Sequence, residues 1–235
     1  MKDVLALLQK QQDLEKAFVA EMAGKPEPTS GWTPSMTMFH IANWRERLWN
    51  GLTEAAAERP VNAPPGNIDE LNDAEMAGAG NVSLADAAAR SDAALTSLIA
   101  MFETMGDVPF TWFTAETSAA ALVRNSYIHP RVHLADQYLQ SGDVARSQRI
   151  IEESANEMQR TEAPGHILGG ALYNLAGVRV TQDRVDEALS LLEEGLPMRP
   201  DLKVVAANDP DLAPLRDSQR FQVLISWRFS ESQSL

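Results

Sequence analysis

Two of the chain's four histidines, His129 and His133, stand four residues apart within NSYIHPRVHLADQYLQSGD, residues 125 to 143. On a helix that spacing puts both imidazoles on one face about a turn apart, where two neutral ring nitrogens can reach one cation. Pro130 lies between them. It is out of place in a helix interior, because it lacks an N–H and crowds the carbonyl four residues back. Two outcomes are open: a helix restarts with Pro130 at its first position, or a longer helix bends. In either case the break is expected to aim His129 at the ion that His133 faces. A third histidine, His40, falls on the apolar face of an earlier segment with Ile41 and Trp44. Alone it reads as a hydrogen-bonded core residue. Beside an inward-facing pair it becomes the third ligand of a His40, His129 and His133 site for a divalent cation, with positions left for water or substrate.

The motif is not that of a metalloprotease. H-P-R-V-H has no glutamate where H-E-x-x-H places its general base. Asp136, three residues after His133, could orient a ligand or be an exposed helix carboxylate. Asn125, Ser126 and Tyr127 could line a pocket or only pack. His166 follows a Pro-Gly turn and reads as a helix-start residue without a role. The pairs Trp44/Trp49 and Trp112/Phe113 read as core or pocket wall, since the basic cluster that a nucleic-acid stacking platform requires does not accompany them. No catalytic residue is assigned.

The elements that must position these groups are helical. Residues from about Asp3 to Ala23 carry Leu5, Leu8, Leu14, Phe18 and Met22 as a loose stripe, and GKPEPTSGW, Gly24 to Trp32, breaks it. Thr33-Pro34 predicts an N-cap and first-position proline for a second helix reaching about Arg59, with Thr37, His40, Ile41, Trp44 and Leu48 on one face. Pro60 to Val82 reads as a long surface connection. Ser83 and Asp86 open a third helix carrying Leu84, Ala88, Leu95, Leu98, Ile99 and Phe102. After the break MGDVPFTWF, a fourth helical region runs from about Glu116 to Gln140, and Ser141-Gly142-Asp143 ends it. Four helices with one long connection predict an antiparallel bundle.

From Val144 the rhythm changes. Val144 to Gln159 reads as a helix, and His166 to Val180 and Arg184 to Leu196 as a helix–turn–helix pair ending at Pro200. Leu172, Leu175, Ala176, Ala188, Leu192, Gly195 and Pro200 fall at tetratricopeptide-repeat spacing, and NDPDLAPLRDSQRFQVLI resembles the end of many bacterial repeat proteins. One such repeat needs neighbours to cover its faces. The expected fold class is therefore all-α: a four-helix bundle over residues 1–143, then a tetratricopeptide-like helical region over residues 144–235.

Composition narrows the function classes. With 33 acidic against 20 basic residues the formal charge is -13, and no Lys/Arg cluster suited to a phosphate backbone is present, so nucleic acid is not an expected partner. The absence of cysteine removes disulfides, thiolate ligands and cysteine nucleophiles. No run approaches the ~18 apolar residues of a membrane span, and the start lacks a secretory h-region, so a membrane is not expected and the cytoplasm is the default location.

GWTPSMTMFHIANWRERLWNGL and NSYIHPRVHLADQYLQSGD together resemble the DinB-like metalloprotein superfamily of four-helix bundles, in the branch containing the colibactin self-resistance proteins. The contexts W-x-x-x-x-x-x-x-H-x-x-x-W and N-x-Y-x-H-P-x-x-H-L carry the resemblance over about residues 1 to 143, and the family's one-plus-two histidine pattern falls on His40, His129 and His133. The resemblance implies a divalent metal, often zinc or nickel, in an open site. It implies either thiol transfer with the thiol as cosubstrate, or hydrolytic opening of a small electrophile. The repeat-like region departs from the simplest members and leaves open a non-catalytic binding or scaffold role, or sequestration without turnover. The partners expected are a small-molecule substrate, a peptide or protein at the C-terminal region, and a second copy in a homodimer.

Overall fold

A computed structural model describes residues 3–25, 28, 31–61 and 67–226. Pro26, Glu27, Thr29 and Ser30 of the first breaker run lie outside the described residues, as do 62–66 of the expected connection and the last nine residues. The chain is mostly helical, with eleven α-helices among the described residues.

Helix α1, Val4–Met22, buries Val4, Leu7, Leu8, Gln11, Glu15, Phe18 and Met22, a continuous stripe at helical period. Leu8, Phe18 and Met22 of the expected stripe are buried on it, whereas Leu5 is 37% exposed and Leu14 half-buried, and the polar Gln11 and Glu15 occupy the buried face. Helix α2, Pro34–Ala56, starts where expected, with the Thr33 hydroxyl accepting from the Met36 N–H at 3.2 Å and Pro34 at the first position. The stretch read as connection contains helix α3, Ile68–Ala79, whose Asn67 cap accepts from the Glu70 N–H at 3.2 Å. Helix α4, Leu84–Met105, is capped by Ser83, which accepts from the Asp86 N–H at 3.1 Å as its S-x-x-D start predicts.

The break after α4 is a β-hairpin. Strands β1, Pro109–Trp112, and β2, Ala115–Thr117, pair antiparallel, a small departure from the all-α expectation. Thr117 then caps α5, Ser118–Val123, accepting from the Ala120 N–H at 3.2 Å. A π-helical turn, Arg124–Ile128, joins α5 to α6, His129–Gln140. The remainder comprises α7, Val144–Arg160, α8, Gly165–Thr181, α9, Val185–Met198, α10, Leu202–Asn208, a 3-10 turn over Pro210–Leu215, and α11, Gln219–Ser226.

Helices α1, α2, α4 and the α5–α6 segment share one core, which includes Leu8, Phe18, Ile41, Leu48, Leu95, Leu122 and Leu134. Apolar packing runs on without a gap past residue 143, through Ile150, Ile151 and Met158 of α7 to Ile167 and Leu175 of α8. A second core, from Tyr173 and Ala188 to Leu215 and Phe221, joins α8 to the elements after it.

Two glycines allow α8 and α9 to pack closely. A Cβ built on Gly169 would stand 2.8 Å from the Gly195 carbonyl oxygen and 2.9 Å from Met198 Cβ. Neither atom can rotate away, so Gly169→Ala is expected to destabilise the fold by about 1–3 kcal/mol, the usual cost of overpacking. Urea unfolding of the variant would check this, with Gly78→Ala, whose Cβ would meet nothing within 4 Å, as the control.

Inside the first core lies a polar knot. The Arg45 guanidinium, fully buried, donates from Nη1 to Glu15 Oε2 at 2.8 Å and from Nη2 to Oε1 at 2.6 Å. It also donates to Ser91 Oγ at 2.7 Å, and Gln11 donates to Glu15 Oε1 at 2.7 Å. The knot ties α1, α2 and α4 together beneath the histidines.

Candidate metal centre

The three expected histidines come together. His129 Nε2 lies 3.1 Å from His40 Nε2 and 3.0 Å from His133 Nε2. The candidate ligand nitrogens of the trio all fall within 4.8 Å of one another, so the group could hold a metal ion. An ion with bonds of ~2.1 Å sets its nitrogens roughly 3.0–3.4 Å apart, depending on the angle between them. The His129 separations fall in that range. Two Nε2 atoms on one His129 Nε2 cannot both be satisfied by its single proton, whereas a shared cation satisfies all three lone pairs. The residues fit a divalent ion bound through three neutral imidazoles.

Burial keeps them neutral. It pushes His40 down to about 3, helped by the positive fields of His133 and Arg47, and His133 down to about 4. It also holds His129 well below the usual range, with the other two histidines, Arg124 and Arg45 adding to it. A site composed of unprotonated ring nitrogens is ready for metal at neutral pH.

Pro130 stands at the second position of α6, which continues from α5 through a widened turn and not after a loop. Pro130 cannot donate to the Ser126 carbonyl, and the Arg45 Nη2 donates to that oxygen instead, at 3.3 Å. One residue earlier, the His129 N–H reaches back five residues to the Arg124 carbonyl, the bond that defines the π turn. The side chain of His129, half-buried, faces the other two histidines. The same arginine that anchors the core knot thus replaces the hydrogen bond the proline removes.

Around the trio, the Trp32 indole stacks on His133, centroids 5.4 Å apart at 19°, and packs 4.8 Å from His40. A cavity of about 170 Å³ opens on the histidines, its wall including Trp44, Ile68, Asn72, Phe113, Arg124 and Asn125. Asn125 donates to the Trp44 carbonyl at 3.1 Å, while the Trp44 indole N–H donates to Asn72 at 3.2 Å. Helix α3 therefore roofs the pocket, held further by Glu75, which accepts from Asn43 at 2.9 Å and pairs with Arg47. Phe113, at the hairpin tip, has φ +55, a left-handed conformation that is strained for an aromatic residue. Its ring packs on Trp44, centroids 5.8 Å apart.

Other residues fall elsewhere. Asp136 is exposed and lies on a separate groove with Asp209 and Asp211, outside the histidine group. Ser126 and Tyr127 are buried and packed, Trp112 is core, and Trp49 is 37% exposed. His166 stands at the start of α8, its carbonyl accepting from Arg199 at 3.5 Å. Sequence reading used Trp32 only as the first residue of the W-x-x-x-x-x-x-x-H-x-x-x-W context, and passed over Asn72 and Arg124. Trp32 sat within a breaker run and Asn72 within a supposed connection, although Asn67 followed three residues later by Glu70 is a helix-start signal. Compared with protein-family models, curated proteins and solved structures, the chain gives no match.

Proposed function

We propose that the chain is a metal-dependent enzyme of the DinB-like kind, acting on a small electrophile by hydrolysis or thiol transfer in the cytoplasm. The observation that carries this reading is the convergence of His40, His129 and His133 beside a cavity of about 170 Å³. In this reading α1, α2, α4 and α5–α6 are the four helices of the bundle, and α8–α9, crossing closely at Gly169 and Gly195, are the tetratricopeptide-like hairpin. Three neutral imidazoles suit zinc or nickel. Such an ion supplies Lewis acidity, which lowers the pKa of a water or thiol and polarises the electrophile. The chain's own residues hold the ion, and the aromatic walls of Trp44 and Phe113 exclude bulk water. With no cysteine in the chain, a thiol would arrive as cosubstrate.

Metal analysis of the purified protein beside a His129→Ala/His133→Ala variant tests the reading. The expected result is about one divalent ion per chain in the first and a loss of about ten-thousandfold in affinity in the second, since two ligands worth ~3 kcal/mol each remove ~6 kcal/mol. Equal metal content in both would sink the site.

A second reading, a binding protein that takes a peptide, draws on the groove between α6, α7, α8 and the 3-10 turn. Leu139 and Val144, exposed at 53% and 46%, line it beside Ile151 and Tyr173. A pulldown in which no partner is lost on Leu139→Glu/Val144→Glu substitution counts against it.

A further inference from the structure

Arg124 stands apart from the other arginines. Every other arginine of the described residues that is buried or half-buried pairs with a carboxylate. Arg124 is half-buried and pairs with none among the described residues; its guanidinium rests on the Phe113 ring, 4.4 Å from the centroid. The charges that reach it are Arg199 and Asp201. Those two satisfy each other, Arg199 forking onto Asp201 at 2.8 and 2.6 Å. One uncompensated cation therefore faces the cavity of the histidines.

The π turn is what brings it there. In a regular α-helix, residues five apart are turned by about 140° from each other. The i→i+5 bond from the His129 N–H to the Arg124 carbonyl makes them successive residues on one face. Arg124, His129 and His133 consequently line the same cavity. No carboxylate lines it among the described residues, so neither the guanidinium nor a divalent ion on three neutral imidazoles is neutralised by the protein. The planar donor fork of an arginine matches the two oxygens of a carboxylate.

The geometry points to Arg124 as the anchor for a carboxylate group on the small molecule that enters the histidine cavity. This inference rests on the metal-dependent reading for the place of the reacting group, and on Arg124 for the class of ligand. The aromatic walls take the apolar part of such a molecule, and the Asn72 amide is a further polar contact within the cavity.

Calorimetric titration of the full chain with butyrate and with its neutral isostere butyramide tests it, on chelator-dialysed protein and on protein reloaded with Co²⁺. In the original chain butyrate should bind about tenfold or more tightly than butyramide, the usual worth of a hydrogen-bonded charge. Arg124→Gln should abolish that preference without changing Co²⁺ stoichiometry, and Arg124→Lys should keep part of it. Thermal melts of both variants confirm that they fold. A preference that survives Arg124→Gln, or no preference in either form of the original chain, overturns the assignment. If Co²⁺ fails to bind while the Arg124-dependent preference persists, the metal reading falls and this one stands.

Discussion

Glu15→Ala is expected to lower the stability of the fold by about 3–5 kcal/mol, as much as truncating the fully buried Phe18 of the same helix. Glu15 is the only carboxylate paired with Arg45 among the described residues, and both partners are almost completely excluded from water. Removing it leaves a guanidinium charge in the core with Ser91 and the Ser126 carbonyl as neutral acceptors, which do not offset its desolvation. The pair itself contributes much less than this loss implies. A double variant, Glu15→Met/Arg45→Met, is accordingly expected to regain most of the stability lost by the single one. Chemical denaturation of the three proteins would decide the matter, and a single variant within about 1 kcal/mol of the original would show that water reaches Arg45. The double variant should still weaken metal binding, because Arg45 also occupies the carbonyl that Pro130 leaves free.

The second large effect is acid sensitivity of the metal-free protein. The folded state holds His40 at about 3 and His133 at about 4, against about 6.5 in an unfolded chain. A histidine with a depressed folded pKa binds fewer protons folded than unfolded, so stability is full above about pH 6.5 and falls as the pH drops toward the folded values. At pH 5 these two residues together remove roughly 4 kcal/mol, and His129, also depressed, acts in the same direction. Urea unfolding of chelator-treated protein at about pH 7.5 and 5 measures the change. A His40→Gln/His129→Gln/His133→Gln variant should lose most of it, and an unchanged slope in that variant would place the acid sensitivity elsewhere.

The parts of this structure that could be read from sequence are those governed by local chemistry. Thr33-Pro34 and Ser83 with Asp86 announce their helices because a cap is made by residues a few positions apart. The histidine trio was legible because ligand type and helical spacing leave few alternatives. What escaped depends on partners distant in the chain. Gln11 and Glu15 look like solvent residues until Arg45 meets them, so the stripe on α1 was read without them and with Leu5 and Leu14 beside Leu8, Phe18 and Met22. Strands of four and three residues are too short to show alternation. The widened turn before Pro130 is accompanied by Arg45 reaching the Ser126 carbonyl, a contact no window of adjacent residues contains. Arg124 was passed over for the same reason, since in an ordinary helix it would face away from His129.

That widened turn also makes chain length a property of the site. Between the capped start of α5 at Thr117 and the end of α6 at Gln140 the helix runs without a loop to absorb a change. Deleting one of residues 125–128 would restore ordinary helical pitch and leave Arg124 and His129 four apart, about 40° from each other and still on one face. A deletion in the ordinary α-helical parts of α5 or α6, which have no surplus residue to give up, would instead rotate one flank by about 100° relative to the other. In lineages that keep this arrangement, a one-residue loss between Thr117 and Gln140 should therefore fall within 125–128 and coincide with an ordinary α turn there.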